Sequence, residues 1–352
     1  MVKMLVTGGA GFIGSNFVKL IHGKHPEIRV VNLDLLTYAG NLENIKEIQQ
    51  GVNYRFVKGS ITDELLLKQL FEEETFDYVV NFAAESHVDR SIEDPAVFVR
   101  TNVLGTQTIL DASKTAWQIG KDEFGYPVYK TGVKYLQVST DEVYGTLGKT
   151  GMFMETTPLA PNSPYSASKA SSDFIVRAYF ETFKFPMNIT RCSNNYGPYQ
   201  FPEKLIPLII NNCKNENSLP VYGDGMQIRD WLHVQDHCEA ILTVLFKGVQ
   251  GEVYNIGGNN EKANIEIVKL IIETLSKSEN LIKYVEDRLG HDRRYAIDNT
   301  KITTELGWAP KYTFEEGMKE TIQWYLDNET WLNNVINKDY LAYYDKMYTT
   351  RA

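Results

Sequence analysis

Tyr165 and Lys169 stand four residues apart in Tyr165-Ser-Ala-Ser-Lys169, and Asp141-Glu142 directly follow the run Val138-Ser-Thr140. On a helix, the four-residue spacing puts the phenol and the amine one turn apart on one face. A free tyrosine, with a pKa near ~10, is a poor base at neutral pH. A neighbouring ammonium stabilises the phenolate and lowers that value. Such a pair suits proton removal from an alcohol during hydride transfer. Ser163-Pro164 place Tyr165 near a helix start, where the dipole also favours negative charge. Oxidation of an alcohol does not need two further acidic groups. Asp141 and Glu142 therefore suggest a second proton-transfer step, and a reaction more specific than dehydrogenation. The bland alternative for them is a solvated acidic turn.

A second constellation precedes this one. Thr7-Gly8-Gly9-Ala10-Gly11-Phe12-Ile13-Gly14 follows a strand-like run and opens an amphipathic stretch. Glycine at 8, 11 and 14 lets the turn tighten, lets a pyrophosphate approach the backbone, and lets helix pack on strand. The helix N–H groups then face the phosphates. A glycine pattern alone is weak, but a second strand-like run ends at Asp34, about twenty residues on, where the ribose-binding rule expects an acid. Asp34 would accept hydrogen bonds from ribose hydroxyls and repel a 2′-phosphate. No arginine adjoins it in Asp34-Leu-Leu-Thr37, so NAD is expected rather than NADP. The competing reading is an Asp that caps a turn.

The elements that must position these groups alternate. Strand-like runs at Met4–Thr7, Val30–Asp34, Tyr54–Lys58, Tyr78–Ala83, Lys134–Thr140 and Asn188–Cys192 are separated by helical patterns at Ile13–His22, Leu42–Gln50, Glu64–Glu73, Ala96–Trp117 and Ser166–Thr182. That alternation predicts an α/β fold, a Rossmann-like doubly wound parallel sheet covered on both faces. Ligands of such sheets lie at the carboxyl ends of the strands, where Thr140 is placed to hold a substrate alcohol. Asp94-Pro95 reads as an N-cap with proline at the first helical position. Ile119–Gly132 reads as a surface insertion. After residue 193 prolines and Gly223-Asp224-Gly225 change the texture. The expected organisation is a cofactor domain over 1–192, with 228–257 returning to it. Residues 193–227 and 258–335 form a smaller, interleaved C-terminal substrate-binding lobe, and 336–352 a tail. Thr313-Phe-Glu-Glu316 is a capping-box pattern opening a helix to Tyr325.

Bulk properties narrow the class. The 352 residues are 43% hydrophobic and 23% charged, as in a globular protein. A net charge of -9 disfavours non-specific binding to nucleic acid or an anionic membrane. No apolar run approaches the ~18 residues that span a bilayer, and the N-terminus reads as a strand rather than a leader. Cys192, Cys213 and Cys238 have neither metal-like spacing nor an even count for disulfides, so no metal and a reduced cytoplasmic setting are expected. Cys192 reads as a buried structural thiol.

Together these motifs resemble the extended short-chain dehydrogenase/reductase family that acts on nucleotide sugars, and within it the dTDP-glucose 4,6-dehydratases. The likeness runs along almost the whole chain. It rests on Thr7–Gly14, Leu36–Asn41, Ala83–Ser91, Ser139–Gly145, Ser163–Ser172, Cys192–Tyr199, Phe201–Pro207, Gln227–Trp231 and Gly290–Arg294. The Thr-Asp-Glu triplet discriminates, because epimerases of the same superfamily lack the acidic pair. The resemblance implies tightly bound NAD, regenerated each turnover, and three linked steps: oxidation at sugar C4, loss of water across C5 and C6, and hydride return to C6. Thr140, Asp141, Glu142, Tyr165 and Lys169 would be catalytic.

The resemblance also implies NAD contacts from Gly8, Gly11, Phe12, Ile13, Gly14, Asp34, Leu35, Thr37, Ser60, Ile61, Ala83, Ala84, Glu85, Thr101, Tyr165, Lys169 and Asn195. It implies dTDP-glucose contacts from Ser86, Thr140, Asn194, Glu203, Lys204, Arg229, Asn264, Arg288 and His291. Arg229 suits the diphosphate through its planar fork; its alternative is a surface ion pair with Asp230 or Asp236. His87 is a weak substrate-side candidate and more plainly a packed histidine. Arg293 and Arg294 read equally as solvated charge. Two positions depart from the family: Ser60, where members often carry Asp, and Leu289, where they usually carry Pro. The family further implies a homodimer through helices at about 96–117 and 166–182, and a place in deoxysugar (rhamnose-type) synthesis for surface polysaccharide. The competing readings are a nucleotide-sugar 4-epimerase, which needs Tyr165 and Lys169 only, and an inactive NAD-binding regulator.

Overall fold

The computed structural model describes residues 1–287 and 289–336. Among them, seven strands form one parallel sheet: β1 (Lys3–Thr7), β2 (Arg29–Asp34), β3 (Tyr54–Lys58), β4 (Tyr78–Asn81), β5 (Lys134–Thr140), β6 (Met187–Cys192) and β7 (Val253–Ile256). Their order is β3-β2-β1-β4-β5-β6-β7. The order reverses between β1 and β4, and a crevice opens beyond the strand ends there. The fold is α/β and Rossmann-like, a doubly wound parallel sheet.

Alternate strand residues serve two cores, which is why the strands read as continuous apolar runs. Met4, Val6, Val30, Val80 and Leu136 face a layer that includes Phe17, Ile21, Ile241 and Leu245. These belong to α1 (Phe12–Lys24) and to Val234–Lys247. Leu5, Val31, Leu33, Val79 and Tyr135 face the other layer, with Leu67, Leu70, Ile109, Trp117 and Val176. Those come from α2 (Glu64–Glu74), α3 (Gly105–Trp117) and α4 (Pro164–Phe183).

Four local expectations differ from what forms. Leu42–Ile48 is a 3₁₀ helix. Its buried Ile45 and Ile48 are three apart, the 3₁₀ period, and Asn44 turns inward to donate to the Ala10 carbonyl at 2.8 Å. β4 ends at Asn81, not Ala83. The segment 95–117 is not one regular helix: Pro95–Phe98 is α, Val99–Leu104 is π, and α3 follows. The π turn aims Asn102 inward, where it accepts from Glu85 N at 2.8 Å and donates to Ser168 Oγ at 2.8 Å. Asp94 precedes Pro95 but its side chain makes no capping bond; its N–H bonds the Arg90 carbonyl instead.

The insertion at 119–132 holds an antiparallel hairpin, Gln118–Lys121 with Pro127–Tyr129. The Thr313 capping box is present and opens Phe314–Asp327, two residues longer than expected.

Beyond β6 the chain builds a second layer at the mouth of the crevice. Asn194–Tyr196, Ile228–His233 and Glu261–Ala263 form a small sheet, and Leu219–Tyr222 pairs with Ile282–Val285. A separate core of Tyr196, Ile209, Trp231, Ile267, Phe314 and Trp331 holds them. The chain returns to the large sheet for Val234–Lys247 and β7. It returns again at Thr300–Leu306, whose Ile302 and Leu306 share the core of Met4 and Val6. This last return lies inside 258–335, so that stretch is not wholly part of the smaller lobe.

Candidate active site

Each functional side chain is delivered by an element end. β1 ends at Thr7, and Gly8 follows at φ +72, where an added Cβ would come within 2.7 Å of Ala83 N. A Cβ on Gly14 would meet the Gly8 carbonyl oxygen at 2.2 Å, so α1 seats directly on the turn. Gly11 is the N-cap of α1, with no side-chain cap bond and no acid in the first turn. The first N–H groups of α1 therefore lie toward the crevice without a side-chain anion of their own. That arrangement fits a diphosphate.

Asp34 ends β2, is 8% exposed, and accepts from Ala10 N at 2.9 Å and Leu36 N at 2.8 Å. It both caps a turn and lines the crevice, so the two readings of this residue are compatible. Burial raises its pKa. Ser60 Oγ lies 2.8 Å from Thr62 Oγ1 and accepts from Thr62 N, so this hydroxyl serves its own turn. Leu289 is 77% exposed.

The crevice is lined by Gly8, Gly11, Phe12, Ile13, Gly14, Asp34, Leu35, Thr37, Ser60, Ile61, Ala83, Ala84, Glu85, Ser86 and Thr101, and by Thr140, Asp141, Glu142, Tyr165, Lys169, Asn194, Asn195, Glu203 and Lys204. Every expected cofactor and catalytic residue thus reaches one cavity. A second cavity carries Arg229, Asn264 and His291, and shares Glu142, Asn194, Asn195, Gln200, Glu203 and Lys204 with the first. The two form one cleft, and Glu142 stands at the junction. Arg288 lies outside the described residues, as does the tail from 337 onward.

At the centre, Thr140 Oγ1 accepts from Glu142 N at 3.2 Å and lies 3.3 Å from Asp141 Oδ1. The turn Asp141–Tyr144 is 3₁₀, and it closes on Gly145 at φ +86, where a Cβ would meet the Ala160 carbonyl oxygen at 2.4 Å. Asp141 is 1% exposed and its Oδ2 has no hydrogen-bond partner. Burial, then the charges of Glu142 and Asp230, push its carboxyl well above the usual carboxylate range. Burial thus favours the protonated form of Asp141, and Glu142 is the more accessible of the two.

α4 opens with a capping box between Ser163 and Ser166 that fixes Tyr165 in its first turn. Burial, aided by Glu142, Cys192 and Asp141, raises the Tyr165 phenol, and the bond with Thr140 opposes this. The phenol is thus raised, not lowered as its spacing from Lys169 predicts. Lys169 donates to the Val138 carbonyl at 2.8 Å, and burial lowers its amine while Asp173 and Cys192 resist. Cys192 is a buried free thiol whose Sγ donates to the Ser139 carbonyl at 3.4 Å.

On the second side, Arg229 donates to the carbonyls of Ile228 and Asp292 and its guanidinium lies 4.3 Å from the Tyr295 ring. Asp230 and Asp236, the partners its surface reading named, accept backbone N–H groups of Gly258 and Asn260, and of Lys311 and Tyr312. Glu203 lies 3.5 Å from Arg90 and 3.9 Å from His87, and burial raises it to about 7. Arg293 pairs with Asp224 at the surface, whereas buried Arg294 holds Glu261 with two bonds, at 2.7 and 2.8 Å.

Sequence reasoning missed Tyr295, which lines the second cavity and sits under Arg229, and Asp173 and Arg191 behind Lys169. Asp173 did carry a signal: it continues the four-residue spacing of Tyr165 and Lys169. Tyr295 carried none beyond its place after Arg294.

A family model described as GDP-mannose 4,6 dehydratase matches residues 5–321. The dTDP-glucose 4,6-dehydratase of Xanthomonas campestris pv. campestris strain B100 is 55% identical over 349 residues, 97% of each chain. A solved structure of dTDP-glucose 4,6-dehydratase from Bacillus anthracis in complex with NAD is 53% identical, with a TM-score of 0.86 over 95% of this chain and 100% of that one. The Streptomyces venezuelae dTDP-glucose 4,6-dehydratase, solved with NAD bound, is 46% identical, with a TM-score of 0.87 over 95% and 100%.

Proposed function

This chain belongs to the GDP-mannose 4,6 dehydratase family, and from that premise we propose how its cleft works as a dTDP-glucose 4,6-dehydratase that uses NAD. The product is dTDP-4-keto-6-deoxyglucose plus water. NAD, held by the glycine turn, the start of α1 and Asp34, supplies when bound an acceptor for the C4 hydride, a donor that returns it to C6, and a positive charge.

Tyr165, as the phenolate that the positive charges of Lys169 and bound NAD would favour, takes the proton of the sugar 4-hydroxyl, which Thr140 holds. A ketone at C4 acidifies the proton at C5. Glu142 removes that proton, and Asp141 gives its own to the departing 6-hydroxyl, which leaves as water. The C5 proton returns after C6 is reduced. Geometry must bring each acid and base within hydrogen-bond reach of its proton, and the shared wall of the two cavities supports this. Arg229, Asn264, His291, Glu203, Lys204, Asn194 and Ser86 hold the nucleotide sugar, with Arg229 on the diphosphate.

The observation that carries the reading is a buried Asp141, its carboxyl pushed up by that burial, beside a more open Glu142, on the cleft that holds Tyr165 and Lys169. An epimerase uses the Tyr–Lys pair and leaves those carboxyls without a task. With dTDP-glucose, the alkali-developed absorbance of a 4-keto-6-deoxy product is expected. Formation of dTDP-galactose instead would overturn the reading.

The thymidine preference is carried by the relatives rather than by a base contact. A homodimer through α3, its preceding turns and α4 is supported by Val99, Leu104 and Phe174, which leave 55%, 47% and 56% of their surface exposed on those helices. Three free, buried cysteines fit a reducing cytoplasm. No helix among the described residues is long and apolar enough to cross a membrane. A 4-keto-6-deoxy product suits rhamnose-type deoxysugar synthesis.

A further inference from the structure

Tyr165, Lys169 and Asp173 follow one another at four-residue intervals along α4, and all three are buried, at 8%, 4% and 1% exposure. The first two have roles in the reaction; the third has none there. Asp173 Oδ2 accepts from Arg191 Nε at 2.9 Å, and Asp173 Oδ1 has no partner. Arg191 lies on β6 beside Cys192, in register with Ser139 of β5. Its Nη1 donates to the Tyr144 hydroxyl at 3.0 Å, and its guanidinium sits 5.0 Å from the Tyr144 ring. The Tyr144 hydroxyl in turn donates to Asn255 Oδ1 at 2.8 Å, and Asn255 is tied to Phe153 and Glu155. Tyr144 also stacks on Phe153 at 4.9 Å. Tyr144 closes the same 3₁₀ turn that carries Asp141 and Glu142.

A buried ion pair is costly, and a hydrophobic replacement often serves stability as well. Here the pair joins α4 to β6 and, through Tyr144, to the turn that carries Asp141 and Glu142. We propose that Asp173, Arg191 and Tyr144 form a positioning relay that holds the charge of Lys169 from behind and, through the same guanidinium, fixes the turn bearing Asp141 and Glu142. One buried pair thereby sets the geometry of both the oxidation and the elimination. The inference rests on the dehydratase reading for its second half only.

The charged surroundings of Lys169 are limited. Its own helix contributes Tyr165 and Asp173, β6 contributes Cys192, and the turn after β5 places Asp141 and Glu142 around Tyr165. The helical segment packed on α4 meets this level through Asn102 on Ser168, a neutral contact, and its Asp111 meets α4 further along at Tyr179. Asp173 is therefore the carboxylate on Lys169's own helix that resists its loss of a proton. Removing that charge lets Lys169 deprotonate at lower pH.

The test compares the NAD-loaded parent with Asp173→Asn, Arg191→Lys, Arg191→Gln and Tyr144→Phe. Asp173→Asn should lower kcat by ~10–100-fold, the scale of a small misplacement of reacting groups, with KM unchanged. The alkaline limb of its kcat–pH profile should move to lower pH. Arg191→Lys should keep more activity than Arg191→Gln, because it keeps a cation on Asp173. Tyr144→Phe leaves the ion pair in place. It should keep the parent's alkaline limb but accumulate bound reduced nicotinamide on addition of dTDP-glucose, because elimination slows more than oxidation.

Variants with lowered melting temperatures but the parent's pH profile and no accumulated reduced cofactor would reduce the network to scaffold and overturn the proposal. If Asp173→Asn does not fold, the reduced nicotinamide that accumulates in Tyr144→Phe decides, and its absence overturns the proposal. If the parent epimerises its substrate, the dehydratase reading fails and the Tyr144 arm falls with it. The Asp173 arm is still read from the alkaline limb of that epimerisation.

Discussion

Asp141→Asn should abolish dehydration without weakening the fold. The side chain is 1% exposed, its Oδ2 has no partner among the described residues, and burial raises its carboxyl. Asparagine matches the neutral carboxyl in shape and cannot deliver a proton to the leaving hydroxyl. A positioned general acid contributes ~10²–10⁴-fold, so kcat for product formation should fall by that range, about 3–5 kcal/mol of barrier.

Stability moves the other way. A carboxyl whose folded pKa is raised binds a proton that the unfolded chain has released. The parent is therefore penalised by about 1.4 kcal/mol for every pH unit between ~3.9 and the working pH over which the folded carboxyl stays protonated. The variant escapes this penalty. It should melt above the parent in mildly alkaline buffer, and the gap should close as pH falls to about 4. Calorimetry at two pH values and the alkali-developed product assay read the two effects on one preparation. Parent-like turnover would remove Asp141 from the chemistry. A variant less stable than the parent in alkaline buffer would show that the carboxyl is ionised in the fold, and the assigned acid role would fail.

Other perturbations probe separate parts of the molecule. Gly14→Ala puts a methyl 2.2 Å from the Gly8 carbonyl oxygen and 2.8 Å from Gly9 Cα, so it should cost about 1–3 kcal/mol and strip NAD during gel filtration; cofactor retained at parental stoichiometry would refute the tight turn. Glu203, raised from 4.5 to about 7 by burial against the offsets of Lys204 and Arg90, stabilises the fold at low pH and loses that contribution as pH rises through 7. Glu203→Gln should therefore gain on the parent by about 3 kcal/mol between acid and mildly alkaline buffer, and denaturant titrations with a pH-independent difference would contradict this. Phe174→Glu places a charge on the exposed apolar surface of α4 and should convert the proposed homodimer to monomer by light scattering; a monomeric parent, or a variant of unchanged dimer mass, would refute that interface.

The sheet and the cofactor turn were legible because both are written locally. Apolar runs of strand length between helical patterns leave few alternatives, and Gly8, Gly11 and Gly14 lie in a single stretch whose spacing is itself the geometry. The same locality made Tyr165 and Lys169 readable. What escaped depends on distant partners. The π turn at Val99–Leu104 exists because Asn102 bonds Glu85 and Ser168, and neither neighbour is visible in the helical pattern of 96–117. Arg293 and Arg294 are adjacent and chemically identical, yet one is a surface group and the other is buried against Glu261. The return of Thr300–Leu306 to the first core follows from packing against β7, not from its own composition.

The acidic pair shows the same division within two residues. Asp141 and Glu142 have nearly equal intrinsic acidities, so their order along the chain cannot say which is acid and which is base. The family resemblance assigns the proposed roles, and the environment supports them: Asp141 turns into the protein, where burial and the charge of Glu142 raise its carboxyl, while Glu142 stands where the two cavities meet. Each carboxyl sharpens the other, since an ionised Glu142 is one of the groups holding Asp141 neutral. It follows that Glu142→Gln, besides removing the base, should make Asp141 easier to ionise. A single substitution at 142 should then impair both halves of the elimination, and the double variant should lose little more than Glu142→Gln alone. Additive losses would mean that the two carboxyls act independently and that burial alone sets the state of Asp141.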